Sequence, residues 1–459
     1  MKHGWLERLR DAIADRGREL LKLGQADDPR RRPEALCRAL LEGHGEASSV
    51  ALSREVLRDY AAMAPEQRLE FFRMLAHEFA PDPKAIEQAT TRYLANPGDA
   101  ELLDLFAVVE PPRQELFRRL NMAPQGTVAL VRMRGDLLEM LRSHRELTAV
   151  DADLRHLLSS WFNRGFLQMR TITWQTPADV LEKLIDYEAV HAIRGWDDLR
   201  RRLAGDRRCF AFFHPAMPHE PLIFVEVALV QGMARQVQPL LDPQAPILDA
   251  ADADTAMFYS INNTQAGLRG ISFGNFLIKQ VVEELRGELP GLEQFVTLSP
   301  MPRFAAALRS ALEGKPDGID HAPLQKVLEE HGERLTEVAG AKDPQQALVQ
   351  MLGRPLEHQA ALKEPLRQLA LAYLLQRSKR GLLDPVAAFH LANGARLEAI
   401  DAFADTSERG LRNAFGMMVN YLYEPEQVEA NHERFVSEGV IAMSRPLARA
   451  RKRLALEAA

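Results

Sequence analysis

The chain has 459 residues, 46% hydrophobic and 27% charged, which is more than one core usually organises, so two folded domains are expected and a disordered chain is excluded. Its net charge of -6 comes from 58 basic and 64 acidic residues mixed along the sequence, which excludes a broad nucleic-acid-binding face but leaves room for a local anion site. No stretch approaches the roughly 20 apolar residues of a membrane span, and the two cysteines, Cys37 and Cys209, form neither a CxxC pair nor a zinc cluster.

The first residues pass directly into an amphipathic charged pattern without the apolar segment of a signal peptide, and the terminal Leu456-Glu457-Ala458-Ala459 is not a peroxisomal signal. With so few cysteines, a reducing, cytoplasmic location is expected. From Trp5 to about Trp161 apolar residues recur at helical spacing, as in Val56, Leu57, Tyr60 and Ala61 and again in Leu137, Leu138 and Leu141. Pro-containing breaks at 27–33, 81–83, 96–98 and 111–112 separate the predicted helices, and the run Arg30-Arg31-Arg32 reads as a solvated loop.

After Trp161 the pattern changes. Residues 209–213 and 222–230 are rich in aromatic and β-branched residues and are joined by a Pro-rich segment, which predicts an antiparallel hairpin. A third strand is predicted at 257–261, followed by a loop with Gly267, Gly270 and Gly274. The helix after it carries Leu277, Ile278, Val281, Val282, Leu285 and Leu289 on one face, and a strand follows at 295–299. Beyond Pro302 the chain returns to helices, with a helical insertion expected at about 305–380. The basic cluster from Arg449 to Arg453 reads as an exposed helix face.

The loop from Arg269 through Gly270, Ile271, Ser272, Phe273 and Gly274 to Asn275 has the parts of a phosphate cradle: glycines for close approach, Arg269 for charge and a helix N-terminus for its dipole. Tight turns need the same glycines, so both readings stand. The spacing is not that of a dinucleotide fingerprint. Ser299 lies where a strand meets Pro300 and Pro302, and is either a cleft hydroxyl or a turn serine. His390, in an apolar run, is either a satisfied core residue or a buried proton donor. Tyr421 and Tyr423 line a cleft or fill the core. His214, His219, Glu220 and Glu226 lie around a Pro-rich loop that offers no common helix face, so no metal site is expected.

Several segments together resemble the malonyl-CoA decarboxylase family: Trp161-Phe162 with Gly165-Phe166-Leu167, Glu188-Ala189-Val190-His191, Glu220-Pro221-Leu222, Phe258-Tyr259-Ser260-Ile261, Phe276-Leu277-Ile278-Lys279, Leu298-Ser299-Pro300, and Phe389-His390-Leu391 with Asn393-Gly394-Ala395. The resemblance implies an α+β chain with a helical N-terminal domain, 1–160, involved in oligomer contacts. It implies an acetyltransferase-like, CoA-binding α/β domain at 161–459 that carries the helical insertion. On this resemblance Ser299 and His390 match the catalytic serine and histidine, Tyr423 matches a tyrosine near the active site, and the 269–275 loop matches the CoA pyrophosphate cradle. Vertebrate members have a glutamate where this chain has Ser272, so no carboxylate role is carried over.

The implied reaction converts malonyl-CoA to acetyl-CoA and CO2 without metal or redox cofactor, in a homo-oligomer, dimer or tetramer. His390 is expected to give a proton to carbon, Ser299 to bond both the histidine and the substrate carboxylate, and Asn393 to orient the histidine. The rival readings are an acyl-CoA N-acyltransferase and a non-catalytic acyl-CoA sensor.

Overall fold

In this computed structural model, which describes residues 32–42, 45–271, 277–316, 318–379 and 381–456, the helical spacing of the first third is realised as a stack of short helices. These are α1 (Arg32–Leu41), α2 (Glu46–Ala62), α3 (Pro65–His77), α4 (Pro83–Ala95), α5 (Asp99–Val109), α6 (Pro112–Asn121), α7 (Gly126–Met140) and α8 (Thr148–Trp161). Prolines open α3, α4 and α6, where their missing N–H costs nothing. Leu52, Val56, Phe72, Leu75, Phe117, Leu130, Leu137 and Leu154 form the core, brought together by the 3–4 residue spacing visible in the sequence. Helix α5 departs from this pattern: it buries no residue, and Leu103 and Phe106 stand about two-thirds exposed, at 68% and 70%.

The chain divides into two compact units. The first comprises residues 1–168 together with 213–222 and 263–273, and the second comprises 169–212, 223–262 and 274–459. Two excursions from the second half therefore pack with the helices. Within the first unit, Arg134 of α7 is 1% exposed, pairs with Asp151 at 2.8 Å, and donates to the carbonyls of Gly267 at 2.6 Å and Arg269 at 3.1 Å.

The second unit is built on a mixed sheet of β1 (Gln168–Ile172), β2 (Arg207–Phe213), β3 (Ile223–Val230), β4 (Thr255–Asn263), β5 (Gln294–Thr297), β6 (Ser299–Pro300), and, later in the chain, β9 (Arg396–Asp401) and β10 (Met418–Leu422). Its order is β1-β2-β3-β4-β5-β10-β6, with β9 beside β10. The expected hairpin is β2 and β3, antiparallel with Phe210 opposite Val225. Strands β4 and β5 run parallel, with Met257 opposite Val296; a parallel pair needs a crossover, and the connection contains the amphipathic helix Leu277–Glu288.

The helical insertion consists of Phe304–Leu312, His321–Ala339, Pro344–Leu352 and Gln359–Leu375. A small hairpin follows, β7 (Arg377–Ser378) with β8 (Gly381–Leu382). Beyond this insertion, two strands that the sequence reading did not mark, β9 and β10, return the chain to the sheet, β10 lying between β5 and β6. Strand β10, Met-Val-Asn-Tyr-Leu, is buried over its first four residues. So short an apolar run carries neither a two- nor a 3.6-residue period that would mark it.

Candidate active site

Strands β5 and β6 follow one another and both pair antiparallel with β10, Val296 opposite Leu422 and Ser299 opposite Val419. Pairing thus runs on through Pro300, which stands in the last strand of the sheet order, where a missing N–H is tolerated. Between the two strands Leu298 turns its N–H back to Phe258 at 2.9 Å. Buried Asn420 spans the break by donating from Nδ2 to the carbonyl of Thr297 at 2.9 Å. The result is a serine held inside the sheet, 5% exposed.

The histidine comes from the helix Pro385–Ala392. Its N-terminus is set by Asp384, whose side chain accepts from the N–H groups of Val386 at 2.9 Å and Ala387 at 2.7 Å, and by Pro385 in the first turn. This places His390 in the last turn, 3% exposed, with Nε2 at 2.9 Å from Ser299 Oγ. Nδ1 lies 2.8 Å from the hydroxyl of Tyr423, a residue just past β10 whose N–H is anchored on Phe295. Tyr421 stacks on the imidazole, with centroids 4.5 Å apart and 24° between the planes. Burial alone depresses the His390 pKa to about 3, so the ring is neutral at physiological pH. Burial also pushes the Tyr423 phenol upward, so it keeps its proton.

Ser299, His390 and Tyr423 are therefore brought together, and Tyr421 is added. Asn393 is not turned toward the ring: its Nδ2 donates to the carbonyl of Phe389 at 2.7 Å, at the helix C-terminus. The orientation expected of Asn393 comes instead from Tyr423 and from the stacked Tyr421. Thr297, absent from the sequence reading, lies 2.9 Å from Ser299 Oγ. Alternation along a strand puts residues two apart on one face, and the Thr297-Leu298-Ser299 spacing held that signal. Chemically, a neutral imidazole between a phenol and an alcohol can pass one proton without any of the three holding a net charge at rest.

Of the expected phosphate loop, Arg269, Gly270 and Ile271 belong to the first unit, while Ser272, Phe273, Gly274 and Asn275 lie outside the described residues. Gly267 has a packing reason of its own: a Cβ there would lie 1.7 Å from the carbonyl oxygen of Val131 on α7. Gly270 adopts a φ of 77°, which only glycine takes without strain, and a Cβ there would meet open space.

The residues weighed for a metal each have other partners. His214 lies tilted against Phe162 and contacts the Trp161 carbonyl at 3.2 Å, Glu220 pairs with Arg132 at 3.0 Å, and Glu226 pairs with Arg202 at 2.7 Å. Among the described residues no three His, Cys, Asp or Glu side chains gather as a metal site. The basic cluster lies on the helix Arg445–Arg453, with Arg449, Lys452 and Arg453 exposed.

A family model described as the malonyl-CoA decarboxylase C-terminal domain matches residues 165–458, and one described as the malonyl-CoA decarboxylase N-terminal domain matches 79–162. A protein of Anser anser anser named mitochondrial malonyl-CoA decarboxylase is 35% identical over 413 residues, covering 84% of this chain and 80% of the relative. A Rattus norvegicus protein of the same name is 35% identical over 334 residues, 70% of this chain and 67% of the relative. The crystal structure of malonyl-CoA decarboxylase from Rhodopseudomonas palustris superposes with a TM-score of 0.83 at 45% identity, covering 92% of this chain and 99% of that one. That from Agrobacterium vitis gives 0.78 at 43%, covering 91% and 99%.

Proposed function

Because the chain belongs to the malonyl-CoA decarboxylase family, we propose that it converts malonyl-CoA to acetyl-CoA and CO2 at Ser299 and His390. The bond between the α-carbon and the carboxylate breaks, its electron pair moves into the thioester carbonyl, and CO2 leaves. The enolate carbon then takes one proton. Since the thioester itself accepts the electrons, this reading calls for neither metal nor redox cofactor.

The observation that carries it is the neutral His390, buried and in contact with the Ser299 hydroxyl at 2.9 Å. An enolate carbon is basic enough to take a proton from an uncharged imidazole N–H, and His390 is assigned that donation. Ser299 is assigned the substrate carboxylate, which it holds out of the thioester plane so that the breaking bond overlaps the carbonyl. A site walled by Tyr421 and Tyr423 solvates a carboxylate poorly, which favours its loss as neutral CO2.

The loop 269–275 is assigned the CoA pyrophosphate. In support, Arg134 fixes the backbone at Gly267 and Arg269, and Gly270 leaves open space beside the chain. The homo-oligomer, dimer or tetramer, is supported by the exposed Leu94, Leu103 and Phe106 of α4 and α5, an apolar face of the kind that partner surfaces cover. No helix among the described residues is long and apolar enough to cross a membrane, and the assignment to the cytoplasm draws on two buried, unpaired cysteines.

The deciding experiment incubates purified protein with malonyl-CoA in chelator and follows products by mass spectrometry. Acetyl-CoA and CO2 without an added amine are expected. Acyl transfer that requires an amine would make the chain an N-acyltransferase, and malonyl-CoA bound but intact would make it a sensor.

A further inference from the structure

Ser299 has one proton and two neighbours able to accept it, Thr297 Oγ1 and His390 Nε2, both at 2.9 Å. A serine hydroxyl donates once, so one of these contacts must use a serine lone pair. Thr297 is built to take the proton. It is fully buried, its carbonyl is held by Asn420 Nδ2 at 2.9 Å, and its Oγ1 accepts the backbone N–H of Tyr421 at 3.2 Å. That Oγ1 is held by the N–H of Tyr421, and the Ser299 hydroxyl donates to it.

With the proton committed to Thr297, a lone pair of Ser299 faces Nε2. Two lone pairs at 2.9 Å repel, so Nε2 must carry the ring's hydrogen. A neutral imidazole has only one, which leaves Nδ1 bare to accept from the Tyr423 hydroxyl at 2.8 Å. We infer that Thr297 is a positioning residue that fixes the direction of the buried chain, Tyr423 donating to His390, His390 to Ser299 and Ser299 to Thr297, so that the resting histidine carries its N–H on the nitrogen facing Ser299.

This resting arrangement prepares a proton donor and not a base that strips Ser299, so it does not prepare an acyl-serine intermediate. The inference rests on the decarboxylase reading only for its consequence. In that reaction the incoming substrate carboxylate takes the Ser299 O–H from Thr297 while a serine lone pair still faces Nε2, and the Nε2–H bond then breaks as a C–H bond forms on the enolate carbon. The electron pair left on nitrogen is stabilised by the Tyr423 O–H at Nδ1, and the ring recovers its proton from water after acetyl-CoA leaves.

The test is ring-15N NMR of the full chain with labelled histidine and no substrate, the His390 signals assigned by their loss in His390→Asn. Wild type is expected in the Nε2–H form. Thr297→Val should free the serine proton for Nε2, move the ring to the Nδ1–H form, and lower kcat for acetyl-CoA formation about 10-fold with KM within about 2-fold. Thr297→Ser, which keeps the hydroxyl, should restore both. A wild-type ring in the Nδ1–H form overturns the inference, as does Thr297→Ser behaving like Thr297→Val. The wild-type spectrum needs no substitution, so a Thr297→Val chain that does not fold leaves the test intact. It also needs no malonyl-CoA: a ring in the Nε2–H form on a chain that leaves malonyl-CoA intact removes the decarboxylase reading and keeps the direction of the chain, and the opposite pair of results does the reverse.

Discussion

Arg134 in the helical unit and His390 in the sheet unit are almost equally hidden, 1% and 3% exposed, yet their surroundings differ completely. Arg134 meets a carboxylate and two carbonyls, so its charge is answered and the group serves to tie α7 to the segment around Gly267. Among the described residues the His390 ring meets hydroxyls and aromatic rings, and burial alone sets its protonation. A buried group whose charge is answered acts as scaffold, and one kept neutral by its surroundings is available for chemistry.

If that contrast holds, lesions at the two places must be read out differently. The largest expected effect is on turnover: His390→Asn and Ser299→Ala should each lower kcat for acetyl-CoA formation by roughly 10²-fold or more while circular dichroism stays native. Either variant retaining wild-type turnover would remove that residue from the chemistry. Next, Arg134→Met leaves Asp151 without its partner and should lower the free energy of unfolding by about 3 kcal/mol in urea titrations. Unchanged stability there would break the scaffold half of the comparison.

Acid sharpens the same distinction. The unfolded chain binds a proton on His390 below pH 6.5, while the folded chain refuses it down to about 3. Stability should therefore fall as pH drops through that window, by up to about 1.4 kcal/mol per pH unit, and the slope should be shallower in His390→Asn. The smallest effect on stability belongs to the exposed face of α5: Phe106→Glu should change unfolding by less than about 0.5 kcal/mol and yet, on the proposed homo-oligomer, reduce the mass seen in light scattering.

Much of this was legible beforehand because periodicity is local. The helix Leu277–Glu288 buries Leu277, Ile278, Val281, Val282 and Leu285, the apolar face its spacing defined, and the β2–β3 hairpin follows from two β-rich runs around a Pro-rich turn. Ser299 and His390 were singled out as a strand-end hydroxyl and a histidine in an apolar run, and the family resemblance joined them. Thr297 was missed because a threonine inside a strand is ordinary. Asn393 was misplaced as the ring's support because its neighbourhood in sequence is not its neighbourhood in space: its amide caps a helix carbonyl.

The sequence alone determined which segments are helix and which are strand wherever an amphipathic period was long enough to count, and it determined which side chains are able to carry a proton. Only the tertiary structure decided that β10 enters beside β5 and β6, that residues 91 positions apart meet at 2.9 Å, and that Tyr423 rather than Asn393 holds the ring. Helical and strand periods are set by neighbours along the chain, whereas strand partners and the wetness of a side chain are set by whatever the whole fold packs against it.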